Sequence, residues 1–384
     1  MITYKFFKQL FLHIKYSRIL RKVYKEENLL ENLSKLFGTK FDIDWIGRIY
    51  TVINPLVNDG EYDQNTIIYE YGDVGMNTNA FVERIIMQAH RFSDEYAKER
   101  FGQLASDRVT YLFQRNIQEL DMVVRELWDE LRNSKFEPRD FEVDFGGADG
   151  LPPIAIPNGS MNAILRGFVD RVDTWNKDGN CYYRVVDYKT GKKDFDYCDV
   201  FNGVGLQMLL YLFALRNSGG ELLGERAIPA GVQYFPARAP YLPADGVLTE
   251  DEAAKDRASL WKRRGIILSD EDVILAMDPD LQSKRLSCTI KKDGTLSGDL
   301  ADRDQLNSLE AYVFRLVGEM VEQIASGNVA PNPYSRGTSH DACAFCPYGP
   351  ICHKGAAEDR RNYKAMPAQK FWEEIDKEMK RHGR

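Results

Sequence analysis

Between Gly167 and Lys189 the chain carries two arms rich in β-branched and aromatic residues, GFVDRVDTW and CYYRVVDYK, separated by Asn-Lys-Asp-Gly-Asn. Asp178-Gly179 is the dipeptide preferred by a two-residue type I′ loop, whose twist matches that of the strands it joins. A loop of that length fixes register, so each residue faces the one whose number brings the sum to 357. Asp170 is then set opposite Asp187, and Phe168 opposite Lys189. The same register pairs Asp173 with Arg184, Trp175 with Tyr182 and Val172 with Val185, all favourable across a strand pair. Side chains alternate along a strand, so Asp187 and Lys189 share a face and Tyr188 points away. One face is expected to carry two carboxylates and an ammonium.

Charge says what such a face is for. Two carboxylates a strand apart repel, and both stay ionised near a core only when a cation joins them. Mg²⁺ or Mn²⁺ suits one or two carboxylates, a carbonyl such as that of Tyr188, and retained waters. A metal held there can polarise a phosphodiester and acidify a bound water, with Lys189 beside the water or the scissile phosphate. An Asp-X-Lys triplet alone is equally compatible with an exposed hairpin of solvated charges, so its surroundings must decide.

About ten residues after Lys189 the run VFNGVGLQMLLYLFAL reads as a mostly buried helix starting near Val204. Gln207 and Tyr211 are four apart on one face, the strongly polar side chains of its apolar middle. The expected order is a strand (Phe141 to Phe145), the two hairpin strands, this helix, and a strand from Ala230 to Phe235. Taken together, GFVDRVD, VVDYKTG and GLQMLLYLFAL resemble the nuclease core of the PD-(D/E)XK superfamily in its RecB-like branch. The fit is closest to AddB-type nuclease domains, and SKFEPRDFEVDFG, PAGVQYFPARAP and PNPYSRGTSHDACAFCPYGPIC extend it over roughly residues 95 to 355. The resemblance implies a restriction-endonuclease-like α/β core, a mixed central sheet flanked by helices. It implies metal ligands at Asp170 and Asp187, a catalytic lysine at Lys189, and a supporting pair in Gln207 and Tyr211. Val169 stands where the superfamily's proline would be. That branch often places a metal-binding histidine on a preceding helix. His90 is the candidate by location, but its surroundings do not match, and a packed or solvent-facing histidine is the expectation.

Cys343, Cys346 and Cys352 form C-x2-C-x5-C in a proline-broken stretch. Clustered thiolates suit zinc or iron–sulfur. In the AddB-type family this spacing supplies three ligands of a [4Fe-4S] cluster. Such a cluster takes four thiolates, and no cysteine precedes Cys181 in this sequence. Cys181, Cys198 and Cys288 read as small core residues. The alternative is a Cys₃His zinc site completed by His340 or His353.

The remaining sequence bounds the setting. A net charge of −7 argues against DNA binding over the whole surface, but a nuclease needs only a local basic groove. No stretch reaches the ~18 apolar residues of a membrane span, and the cysteines do not read as a secreted disulfide framework. A cytoplasmic enzyme is expected. Residues 1–90 form a module without a catalytic constellation, opening on a basic aromatic helix from Tyr4 to Lys25. Residues 91–330 are the nuclease domain, 331–355 the Cys-rich segment and 356–384 a charged helical tail. No G-x-x-x-x-G-K-[ST] phosphate loop occurs, so any ATP-driven motor belongs to a partner or a missing part. The resemblance thus implies a metal-dependent DNA exonuclease of double-strand-break repair and recombination, working with a helicase–nuclease partner subunit. The alternative is a non-catalytic fragment that binds or scaffolds DNA ends.

Overall fold

A computed structural model describes residues 107–382, except 148–149, 159–160, 192, 225, 239–245, 247–248, 250–260, 281–284, 338–339, 345 and 353–359. The expected helices of the first 90 residues, His90 and His353 lie outside this set. The chain divides into two compact units, residues 1–138 with 237–241, and residues 139–236 with 242–384. In the first, helix α1 (Asp107–Asn133) buries Val123, Val124, Leu127 and Leu131, an apolar stripe at helical spacing. Glu119 on its outer side takes Arg115 and Arg238 as partners.

A six-stranded sheet runs in the order β1 (Glu137–Phe145), β4 (Gly167–Lys177), β5 (Asn180–Lys189), β6 (Ala227–Pro236), β7 (Ile267–Leu268), β10 (Leu300–Ala301). The β4–β5 pair is antiparallel and β5–β6 parallel, so the sheet is mixed. The parallel step needs a crossover, supplied by helices α2 (Tyr197–Phe201) and α3 (Gln207–Ser218). Two small hairpins stand apart from the sheet, β2–β3 (Ile154–Asn158, Met161–Leu165) and β8–β9 (Cys288–Ile290, Leu296–Gly298). The second closes through a turn at Lys291–Gly294.

The hairpin register is the one read from the turn. Asp178 and Gly179 both take positive φ, 51° and 76°, as a type I′ loop demands. The ladder runs from Lys177–Asn180 to Arg171–Val186 and includes Val172–Val185, Asp173–Arg184 and Trp175–Tyr182. The helix after the hairpin begins at Gln207, three residues later than its apolar pattern suggests. Gly203 and Gly205 sit at φ 80° and 71°, left-handed values that interrupt a right-handed helix, so the chain turns there first. On β6 an extra residue follows Pro229, and Gly231 comes next because a Cβ there would lie 2.2 Å from the Ile266 carbonyl oxygen.

Tyr183 Oη donates to the Leu212 carbonyl at 2.7 Å and ties α3 to one face of β5. By alternation that face also carries Asp187 and Lys189. Behind them, helix α4 (Glu271–Met277) lies against the other face, with Met277 Sδ 3.9 Å from Gln233 Nε2. Helix α5 (Arg303–Ala325) opens on a capping box between Asp302 and Gln305 and is joined to α3 by Arg216–Glu310. Helix α6 (Ala368–Arg381) is the charged tail, anchored by buried Phe371 and by Arg315–Glu378.

Candidate active site

Asp187 and Lys189 meet where β5 ends. Lys189 Nζ is 2.6 Å from Asp187 Oδ2, with the lysine side chain 36% exposed and the aspartate side chain 9%. Lys189 is the close cationic partner of that buried oxygen. Asp170 reaches the same place from β4. Its Oδ2 accepts the backbone N–H of Tyr188 at 2.8 Å, and its charge is felt by Asp187. The structure therefore brings Asp170, Asp187, Lys189 and the backbone of Tyr188 together. The side chain of Tyr188 turns the other way, accepting from Arg171 at 2.7 Å and packing on Phe235.

Burial, opposed by Lys189 and reinforced by the charge of Asp170, raises the carboxyl of Asp187 above its ordinary value. Glu142 on β1 is raised by burial and by Asp170 as well, and holds a left-handed φ of 50°. Tyr234, the β6 partner of Asp187, is pushed up to about 12 by burial and then by Asp187, so it stays a phenol. Sequence reasoning singles out neither Glu142 nor Tyr234. Neither carries a motif, and their coupling to Asp170 and Asp187 arises only in the assembled sheet.

Gln207 and Tyr211 are joined by a 3.1 Å bond between Nε2 and Oη. Among the described residues neither bonds to Lys189. Tyr211 is buried, stacks on Phe145, and presses its hydroxyl against Gly167, three residues before Asp170. A Cβ on Gly167 would lie 2.1 Å from that oxygen. We expect Gly167→Ala to cost about 1–3 kcal/mol through overpacking. Tyr211→Phe, which deletes the obstructing atom, should recover part of that loss, and urea melts of the two single variants and the double variant measure the coupling. Additive effects would mean that the contact does not govern the start of β4.

The opposite face holds a buried charged network that carries no site residue. Asp173 takes Arg171 at 2.8 Å and Arg184 at 2.8 Å, and Arg184 donates to Gln233 at 2.7 Å. All four are 0–1% exposed. Through Tyr188 this network backs the segment whose N–H holds Asp170.

The fit to cofactors differs between the two sequence-predicted sites. Among the described residues no three His, Cys, Asp or Glu side chains converge as a metal-binding group. Two carboxylates with a backbone carbonyl and waters satisfy Mg²⁺ without a third side chain, and the donor set of Asp170, Asp187 and the Tyr188 carbonyl is of that kind. A thiolate cluster has no such latitude. Cys343 and Cys346 are half-buried in turns, Cys352 is exposed, and the three do not converge. Cys198 Sγ is occupied in donating to the Lys364 carbonyl at 3.0 Å, and burial pushes the Cys288 thiol up to about 12. Among the described residues, which leave out His353, no ligand set for [4Fe-4S] or Cys₃His zinc is assembled.

The sequence matches the PD-(D/E)XK nuclease superfamily over residues 79–353. It is 31% identical over 303 residues to an ATP-dependent helicase/deoxyribonuclease subunit of Clostridium acetobutylicum, covering 77% of this chain and 26% of that protein. The corresponding ATP-dependent helicase/deoxyribonuclease subunits of Symbiobacterium thermophilum and Moorella thermoacetica are 35% and 37% identical, over 71% and 65% of this chain and 24% and 22% of their own lengths. The chain thus spans about a quarter of these relatives. Among the described residues no helix is long and apolar enough to cross a membrane.

Proposed function

Because the chain belongs to the PD-(D/E)XK nuclease superfamily, we propose that it hydrolyses phosphodiester bonds of DNA with a divalent metal ion at Asp170 and Asp187. The observation that carries this reading is the meeting of a buried carboxylate, a second carboxylate and an ammonium at the end of β5. Asp170 and Asp187, with the carbonyl of Tyr188, are the oxygens that would hold Mg²⁺ or Mn²⁺. Such an ion, when bound, polarises the scissile phosphate and acidifies a water. Lys189, an ammonium drawn into the site by Asp187, donates to and orients the attacking water and offsets charge that develops on the phosphate. Gln207 and Tyr211, bonded to each other and braced on Gly167, position the strand.

The relatives' name joins a helicase to a deoxyribonuclease. This supports a role in degrading DNA from ends during double-strand-break repair and recombination. With no phosphate loop in these 384 residues, the motor is supplied by a partner subunit or by a part of the protein outside them. A cytoplasmic setting accords with that role.

Purified protein should degrade linear DNA with Mg²⁺ and not with EDTA. A protein that binds DNA ends and leaves them intact under both conditions would make it a scaffold instead. The pH dependence has a definite sign. Asp187 is raised above the ordinary Asp value of 3.8 by burial, so without metal it keeps its proton to higher pH. Proton and cation compete, and the Mg²⁺ concentration for half-maximal rate should rise as pH falls through that raised value. In the metal-free protein the same group makes the fold less stable as pH rises from 3.8 through its raised value, because the folded state binds the proton more tightly. Half-saturating Mg²⁺ that is flat across that window would count against Asp187 as a ligand.

A further inference from the structure

The site has an electrostatic difficulty. Asp170, Asp187 and Glu142 gather negative charge where a polyanion must lie, in a chain of net charge −7. Lys189 is engaged with Asp187. A second ammonium stands close by. Lys193 lies on the loop that leaves β5, and its side chain is exposed. Its charge acts on Asp187 at the site and on Asp199 in α2, in each case against a rise caused mainly by burial. Its Nζ is 3.7 Å from where a Cβ of Gly205 would stand. Gly205, at φ 71°, is in the turn that leads to Gln207. Among the described residues no carboxylate is in ion-pair contact with Lys193. The ammonium therefore stands beside Gly205, two residues before Gln207 at the start of α3, and four residues along the chain from Lys189.

We propose that Lys193 binds a backbone phosphate of the DNA strand next to the one being cleaved, which offsets the acidic site and sets the strand between β5 and α3. This rests on the nuclease reading of Asp170, Asp187 and Lys189. A lysine ammonium is a compact point charge on a flexible stem, suited to a phosphate and indifferent to sequence. A contact of this kind leaves a signature that packing does not: each neutralised phosphate steepens the dependence of log K on log [salt] by about 0.7 for single strands and about 0.9 for duplex.

The test uses the full 384-residue chain, its Lys193→Gln and Lys193→Arg variants, and a labelled single-stranded oligonucleotide and a blunt duplex in EDTA over a KCl series. Lys193→Gln should flatten the salt slope by about 0.7 to 0.9 and weaken binding alike for unrelated sequences. Lys193→Arg should keep the wild-type slope. Under turnover with Mg²⁺, Lys193→Gln should raise KM by a larger factor than it lowers kcat. Equal slopes for the wild type and Lys193→Gln overturn the proposal, even if both cleave DNA. A wild type that binds but never cleaves, with the slope difference present, overturns the nuclease reading and leaves the phosphate contact standing. No binding at any salt concentration overturns both.

Discussion

Lys189→Ala should lower kcat on linear DNA by about 10²- to 10³-fold, the scale of one lost group that stabilises developing charge, while the thermal unfolding curve barely moves. The two halves of this expectation come from one contact. Lys189 Nζ is 2.6 Å from Asp187 Oδ2, the position from which an ammonium can act on the attacking water. Removing it would leave a buried carboxylate without its cation, ordinarily a severe penalty. Asp187 escapes that penalty because burial already raises its carboxyl, and without the lysine it takes up a proton instead of remaining an isolated charge. The lysine side chain is also 36% exposed, so the pair itself contributes only about 0.2–1 kcal/mol to folding. Steady-state rates and a melting curve on the same preparation check both halves. Undiminished Mg²⁺-dependent degradation by the variant would remove Lys189 from the mechanism.

The largest loss of stability is expected on the other face. Asp173→Ala should cost about 3–5 kcal/mol, because it takes away the carboxylate shared by two fully buried guanidinium groups. That is a large part of the roughly 5–15 kcal/mol that holds a typical domain together. Arg171 is additionally bonded to Tyr188, whose N–H holds Asp170, so activity should fall even at temperatures where the variant remains folded. Asp173→Asn, which keeps an acceptor of the same shape, should lose less. Urea denaturation of the three proteins, followed by tryptophan fluorescence, measures the order. A midpoint for Asp173→Ala within experimental error of the wild type would show that the network is dispensable.

The site is legible in the sequence to the extent that one turn fixes a register. Asp178-Gly179 allows one pairing, and the pairing alone places Asp170 near Asp187. What lies across the sheet cannot be read in this way. Asp173 and Arg184 pair as the sum of 357 requires, yet their complete burial depends on Gln233 and α4, which arrive from distant parts of the sequence. The pattern starts α3 too early because apolar periodicity continues through Gly203-Val204-Gly205, whereas backbone handedness does not. Lys193 lies in a Gly-Lys-Lys-Asp run that carries no motif, and its approach to Gly205 appears only once the chain is folded. The cysteines depend on the same kind of information. Spacing along C-x2-C-x5-C says that three thiols can meet, and the path of the segment through its turns decides whether they do.

The two faces of β4 and β5 divide their duties almost completely, with Asp170, Asp187 and Lys189 gathered at one place and Arg171, Asp173 and Arg184 packed behind. Such a division bears on how proteins of this kind diversify. A lineage can be disarmed by a single change in front and still inherit an intact scaffold, free to acquire another use. Changes behind draw on the stability of the fold itself, so fewer of them leave a scaffold for any new use.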